Sequence, residues 1–445
     1  MSDAVSSNPD PVADPSRPRG GVARDSATPR GNRSRGWLSW LGPGVLTGAS
    51  DDDPSGIGTY AQAGAAFGAG MLWVMLFTFP LMAVVQIICA RVARVTGRGL
   101  AANLAKVVPR WMLVVLTLAL FATNAINIGA DLSAMGYAAA LLAPGEPAWY
   151  AFGLGVLSIG LQVWLPYSRY VRVLKWLTVS LLAYVATAFT LQVPWTRILL
   201  HTLVPHLEFT TEFGAMLVAV LGTTISPYLF FWQSAQEAEE QHAAPDEEPL
   251  KTAPEQAGRQ LKRVRTDTIL GMGISNAIGF FIMLTSALTL NAHGVRDIQT
   301  ASQAAEALRP FAGHWAFVLF AAGIVGTGLL AVPVLAGSAG YALAETLAWR
   351  RGLEKPARAA PAFYGVIVIA TVAGIALPAL HVNPIHALVL SAVLNGIIAV
   401  PILVVLMLAG SNENVMGEFC IPKPLRILGW LTAVVMAVAA LGLLL

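Results

Sequence analysis

Apolar runs of about twenty residues follow one another along this chain from residue 37 almost to its end, with short polar or basic connections between them. The runs have the length of membrane helices and lack strand alternation. They predict eleven spans, at approximately 37–68, 70–92, 111–142, 148–166, 172–193, 213–234, 266–290, 314–348, 361–380, 384–409 and 425–445. Several are longer than one crossing needs, which tilt or interfacial ends accommodate. Two spans are interrupted near their midpoints. The first is broken by Asp51-Asp52-Asp53-Pro54-Ser55-Gly56 and the sixth by Thr223-Thr224-Ile225-Ser226-Pro227-Tyr228. A proline removes a backbone donor and frees carbonyls that must find another partner. A carboxylate at membrane depth costs about 3 kcal/mol even on the gentlest scale. Together the breaks predict a cation site at the bilayer midplane. Five spans separate the starts of the broken ones, so the second unit begins on the opposite face. That arrangement is an inverted repeat of five plus five, with one span added.

Composition agrees with this pattern. The chain is 56% hydrophobic and only 12% charged, with a mean hydropathy of +0.64, and soluble domains carry about twice that charged fraction. Residues 1–36 are the exception: Pro, Gly, Ser, Asp and Arg dominate there, a composition that buries too little to fold. The expectation is a disordered cytoplasmic tail over 1–36 and a single transmembrane domain over 37–445. No short apolar core with a cleavage site follows the basic part, so the tail is not read as a signal peptide. Of the 28 Lys and Arg, 25 fall in the tail and on alternate connections, Arg94 among them. Arg197, Arg296 and Arg309 remain on the other side. The positive-inside rule then puts the N-terminus in the cytoplasm and the C-terminus outside, in a cell (inner) membrane. Cys89 and Cys420 lie far apart, and neither a disulfide nor a cysteine metal site is expected.

The two breaks offer oxygen and nothing softer. Asp53 supplies a full charge where the first half-helix presents its negative end. Gly56 and Gly58 permit a turn and the close approach of an ion. Ser50 and Ser55 offer hydroxyl or carbonyl oxygens, Thr223 and Thr224 offer carbonyls before Pro227, and Ser226 places a small hydroxyl at the second break. No Met, Cys or His lies at either break. Such shells suit Mg²⁺, Ca²⁺ and Mn²⁺. The candidate metal residues are therefore Asp53, Gly56, Ser50, Thr223 and Ser226. Asp53 could instead be a plain helix cap in a wet crevice, which would not require burial at mid-membrane. Asp51 and Asp52 remain open, because three adjacent acids cannot all be buried and ionised: one could face a vestibule, and one could be neutral or paired with a basic residue. Asp131, after Asn124 and Asn127 in span three, could pass protons, hold a second cation or be structural.

Other signals are weaker. The stretch 235–265 is acidic first (Glu237, Glu239, Glu240, Asp246, Glu247, Glu248) and basic after. It reads as a solvated loop, with cation sensing at an inner vestibule as the alternative. His381 and His386 flank Asn383-Pro384 in an outer loop, where solvent exposure is favoured over metal capture. The Gly-rich Gly323–Gly328 reads as close helix packing. No nucleophile–base pair, nucleic-acid site or protein partner is evident; the expected partners are a divalent metal ion and the lipid bilayer. No cofactor is expected apart from transported Mg²⁺ or Mn²⁺. Three acids at one break also argue against an anionic organic solute.

The residues also carry a resemblance. Gly42-Pro43-Gly44, Asp53-Pro54-Ser55-Gly56 and Gln62-Ala63-Gly64-Ala65 resemble the first helix of the NRAMP divalent-metal transporters. Gln86 with Arg91, Thr96, Gly97 and Leu100 resembles the second, Asp131-Leu132 the third, and Asn414-Val415-Met416-Gly417 the loop after the tenth. The resemblance implies an all-α integral membrane protein with a LeuT-like fold, 11 transmembrane helices and broken helices 1 and 6. Departures from the pattern are pointed. The family's Asp-Pro-Gly-Asn carries Gly56 in place of Asn, and its Met-Pro-His is Ser226-Pro227-Tyr228. The acid three residues after Asp131 is Ala134, and the span-ten glutamine falls on Ala392 or Val393. These losses resemble the NRAMP-related magnesium transporters, which implies Mg²⁺ and Mn²⁺ carried in a roomier, wetter site without obligatory proton coupling. The alternative is the proton-coupled Mn²⁺/Fe²⁺ branch. Asp131 and Tyr228 become candidates for a supporting or proton-path role.

Overall fold

The computed structural model describes residues 42–165, 177–376, 378 and 383–443. The tail over 1–36, the connection bearing Arg169, Arg172 and Lys175, and His381 lie outside the described residues. Among the described residues every regular element is helical.

Span one is two helices. Helix α1 (Pro43–Asp51) opens with Pro43 in its first turn. The amides of Gly42 and Gly44, which no helical carbonyl can meet, donate to the Asp267 carboxylate at 3.1 and 2.6 Å. Pro54 forces Asp53 into extended backbone (φ −73°, ψ 170°), which stops the first half. Helix α2 (Pro54–Phe67) restarts with Asp53 as its N-cap. It ends at Gly68, whose φ of +57° few other residues tolerate. A 3₁₀ turn over Gly68–Met71 runs directly into α3 (Leu72–Thr96).

The remaining long helices follow in order: α4 (Arg110–Ala140), α5 (Pro147–Trp164), α6 (Leu182–Thr190), α7 (Thr211–Thr224), α8 (Pro227–Ala243), α9 (Ala257–Thr289), α10 (Ala316–Thr346), α11 (Pro361–Ile375), α12 (Pro384–Ser411) and α13 (Lys423–Gly442). Span six is thus broken at Ile225-Ser226 as expected, but α8 runs to Ala243, past the expected end at residue 234. Glu237, Glu239 and Glu240 therefore belong to a helix and not to a solvated loop.

Seven helical stretches among the described residues are long and apolar enough to cross a membrane. One of them, Pro54–Thr96, holds the second half of span one together with span two. Each of the eleven expected spans meets a helix, but α5, α6 and α11 fall short on length or hydropathy, so these criteria alone do not reach eleven.

The broken helices sit inside the bundle. Helix α9 lies against α1, α2 and α3, α10 against α4, and α12 against α7. At Gly48 a Cβ would stand 2.3 Å from the Gly271 carbonyl oxygen, so the backbones of α1 and α9 touch. Near the far end of α2 the Gln62 amide grips a loop backbone: its Nε2 donates to Arg296 O (3.1 Å), and its Oε1 accepts from Ile298 N (2.9 Å). Asp267→Ala removes the acceptor for two α1 amides and is expected to cost about 1–2 kcal/mol. The check is the thermal midpoint of the purified protein; an unchanged midpoint would show that the cap contributes nothing.

Candidate metal site

Asp53 stands where the two breaks meet. As the N-cap of α2 it directs Oδ1 at the Gly56 amide, which donates at 2.6 Å. Its Oδ2 accepts from the Tyr228 hydroxyl on the first turn of α8 at 2.9 Å. The Asn127 amide of α4 donates to the same oxygen at 3.4 Å. One carboxylate thus joins both broken helices and span three. Gly56 matters for what it lacks. A Cβ there would lie 3.2 Å from the Asp51 carbonyl oxygen and 3.4 Å from Thr223 Oγ1, so its bare Cα lets oxygens from both breaks approach one point.

The other sequence candidates divide. Thr223 is buried beside Gly56. Ser226 and Ser50 lie at the break ends with their hydroxyls turned back on their own helices. Ser226 donates to Gly222 O (2.7 Å) and Thr223 O (2.8 Å), and Ser50 donates to Leu46 O (2.9 Å). Their protons are therefore spent on carbonyls, and each can offer a ligand only lone pairs. The structure brings Asp53, Gly56, Thr223 and Tyr228 together; it does not bond Ser50 or Ser226 to Asp53.

For Asp51 and Asp52 the structure narrows the alternatives the sequence left open to the neutral form. Neither faces a vestibule, since both are at most 3% exposed. Neither is in an ion pair among the described residues. Instead Ser275 of α9 reaches both, at 2.7 Å from Asp51 Oδ2 and 3.0 Å from Asp52 Oδ1. Asp131 is fully buried and, among the described residues, no side chain hydrogen-bonds its carboxylate; the donor directed at it is the Ser55 backbone amide.

Four residues escaped the sequence reading of the site. Asn127 stands one helical turn before Asp131, a spacing that could have placed both on one face. Ser275 carries no such signal, nor does Tyr60, a buried side chain whose ring would stand 3.4 Å from a Cβ at Gly56. Ser391 brings α12 to the break: Ser55 Oγ lies 3.4 Å from its hydroxyl and donates to Leu388 O at 3.3 Å.

Electrostatically the centre is one-signed. Four buried carboxylates, Asp51, Asp52, Asp53 and Asp131, have no basic ion-pair partner among the described residues. Such a cluster attracts cations or protons, because uncompensated buried charge is costly. Among the described residues no three His, Cys, Asp or Glu side chains converge to hold a metal. An ion here would complete its shell with carbonyls, hydroxyls or water.

The profile of the Nramp family, described as natural resistance-associated macrophage protein-like, matches residues 44–445. The chain belongs to the Nramp family. Its relatives include proteins named divalent metal cation transporter MntH. That of Deinococcus radiodurans is 27% identical over 433 residues, covering 94% of this chain and 91% of the relative. That of Aeromonas hydrophila is 26% identical over 408 residues, covering 86% and 89%. Among solved structures, the Eremococcus coleocola manganese transporter, in complex with an aromatic bis-isothiourea compound, aligns with a TM-score of 0.71 over 93% of this chain and 88% of that one, at 16% identity. That likeness establishes the fold, and the Nramp chain has the LeuT-like architecture its broken helices imply. The relatives carry the names of transporters and not of enzymes.

Proposed function

We propose that this Nramp-family chain imports divalent metal ions, Mg²⁺ and Mn²⁺ foremost, by alternating access and without obligatory proton coupling. The site would consist of Asp53, Gly56, Thr223 and the break carbonyls, with Ser50 and Ser226 presenting lone pairs. The setting is a cell membrane crossed many times, with a cytoplasmic N-terminus and an external C-terminus. One observation carries the choice of ion: both Asp53 oxygens already accept hydrogen bonds, from Gly56 on one side and from Tyr228 and Asn127 on the other. A carboxylate so engaged suits an ion that keeps its water, as Mg²⁺ does. The soft methionine of the family pattern is absent, and oxygen takes its place.

Competition uptake into proteoliposomes tests the reading. Mg²⁺ and Mn²⁺ should be taken up and should compete with each other; strong displacement of Mg²⁺ by Fe²⁺ or Cd²⁺ would refute it. Tyr228→Phe removes the shorter of the two hydrogen bonds to Asp53 Oδ2 and leaves only the long Asn127 contact to compete with direct ligation. It is expected to move the Cd²⁺/Mg²⁺ preference about tenfold toward the more easily dehydrated ion. A constant ratio would remove Tyr228 from ion selection.

A second reading is proton-coupled Mn²⁺/Fe²⁺ import. The buried carboxylate of Asp131, with no basic partner among the described residues, favours it. Acidification of the vesicle lumen in step with metal uptake would establish it over the first.

A further inference from the structure

We infer that Arg94 is a positioning residue for the transport cycle: it locks the inner halves of both broken helices in place, and its release opens the inner path. The inference rests on the transport reading above.

Arg94 lies near the inner end of α3 with no exposed side-chain surface. Each of its three nitrogens meets a different carboxylate: Nε with Glu237 at 2.6 Å, Nη2 with Glu240 at 2.5 Å and Nη1 with Glu247 at 2.6 Å. Glu237 and Glu240 belong to α8, the inner half of span six, and Glu247 to the loop after it. Arg263 of α9 meets Glu240 and Glu247 from the other side, at 3.1 and 3.2 Å.

The network continues to span one. Glu237 Oε1 accepts from Gln233 Nε2 at 3.0 Å, and Gln233 Oε1 in turn accepts from the Thr47 hydroxyl of α1. A single chain of polar contacts therefore runs from α1 through α8 to Arg94. Both inner half-helices are cut from their outer halves at the breaks, so each can move as a unit, and both converge on this one guanidinium.

The loop does not need that guanidinium for its docking: Arg94 O accepts from Leu250 N (3.1 Å) and Val95 O from Lys251 N (3.2 Å). Arg94 O also accepts from Gln241 Nε2 of α8 (3.0 Å), near that helix's end. What the side chain adds is the ionic tie to Glu237 and Glu240 of α8 and, through Gln233, to α1. Without it Glu240 and Glu247 share Arg263 alone, Glu237 loses its ion-pair partner, and the three carboxylates repel one another, which drives α8 away from α3.

The experiment uses the full chain in membrane vesicles, with Cys420 replaced (Cys420→Ser) and Ala49→Cys on α1 as reporter. A membrane-impermeant maleimide is applied from the side that carries the N-terminus. Arg94→Gln is expected to raise the labelling rate about tenfold or more, with Arg94→Lys between it and the parent. Gln233→Ala leaves the ionic cluster whole and cuts only the link to α1; it should also raise labelling. If Arg94→Gln fails to reach the membrane, Gln233→Ala decides alone. Parent-like labelling in every variant that inserts overturns the role. Labelling needs no metal, so that failure would leave the ion reading intact, and the uptake competition tests that reading separately.

Discussion

Asp53→Ala should abolish metal uptake, by about a hundredfold or more, while the protein still folds. The substitution removes a buried charge and leaves the Gly56 amide, the Tyr228 hydroxyl and the Asn127 amide aimed at a vacated position. Its folding cost is mainly that of a lost N-cap, about 1 kcal/mol. A bundle with many other helix contacts absorbs such a loss. Uptake into proteoliposomes, measured beside monodisperse elution of the variant, decides the matter. Substantial flux through a well-folded Asp53→Ala protein would remove the residue from the ion's path.

Gly48→Leu should be nearly as damaging, although Gly48 touches no proposed ligand. Even a Cβ would stand 2.3 Å from the Gly271 carbonyl oxygen and 2.4 Å from its carbon, and neither atom belongs to a side chain that can swing away. Overpacking of this kind costs about 1–3 kcal/mol, and here it falls on the seat of α1 against α9. A lower thermal midpoint and lost uptake are expected together. A variant with the parent's midpoint would mean that the two helices separate at no cost.

The breaks were legible because a proline beside acids or hydroxyls in an apolar run is locally anomalous. Asp53, Gly56 and Thr223 were found that way, and the structure gathers them. The buried ion pairs of Arg94 were hidden for the opposite reason. A basic residue near the end of an apolar run looks topogenic, and its carboxylate partners lie some 143–153 residues away in sequence. Glu237 and Glu240 were assigned to a loop because their helix becomes polar as it leaves the membrane, where apolar periodicity fades. Ser275 is a single hydroxyl on a long helix; only the tertiary arrangement puts it between Asp51 and Asp52. The hydroxyl directions of Ser50 and Ser226 are local helix geometry, a back-bond to a carbonyl one turn earlier. Composition could suggest those residues as ligands but could not say where their protons point.

The unmatched negative charge at the centre has an electrical consequence. The carboxylates are fixed to the scaffold and the break hydroxyls present lone pairs, so nothing there would hold a chloride to accompany a metal ion. On the uncoupled reading proposed above, a doubly charged cargo would cross the membrane field uncompensated. Each elementary charge gains about 2.3 kcal/mol per 100 mV of interior-negative voltage, so a divalent ion gains about 4.6 kcal/mol, equivalent to a concentration ratio of about three orders of magnitude. Membrane voltage alone would then power the proposed import, and its turnover should register as an inward current.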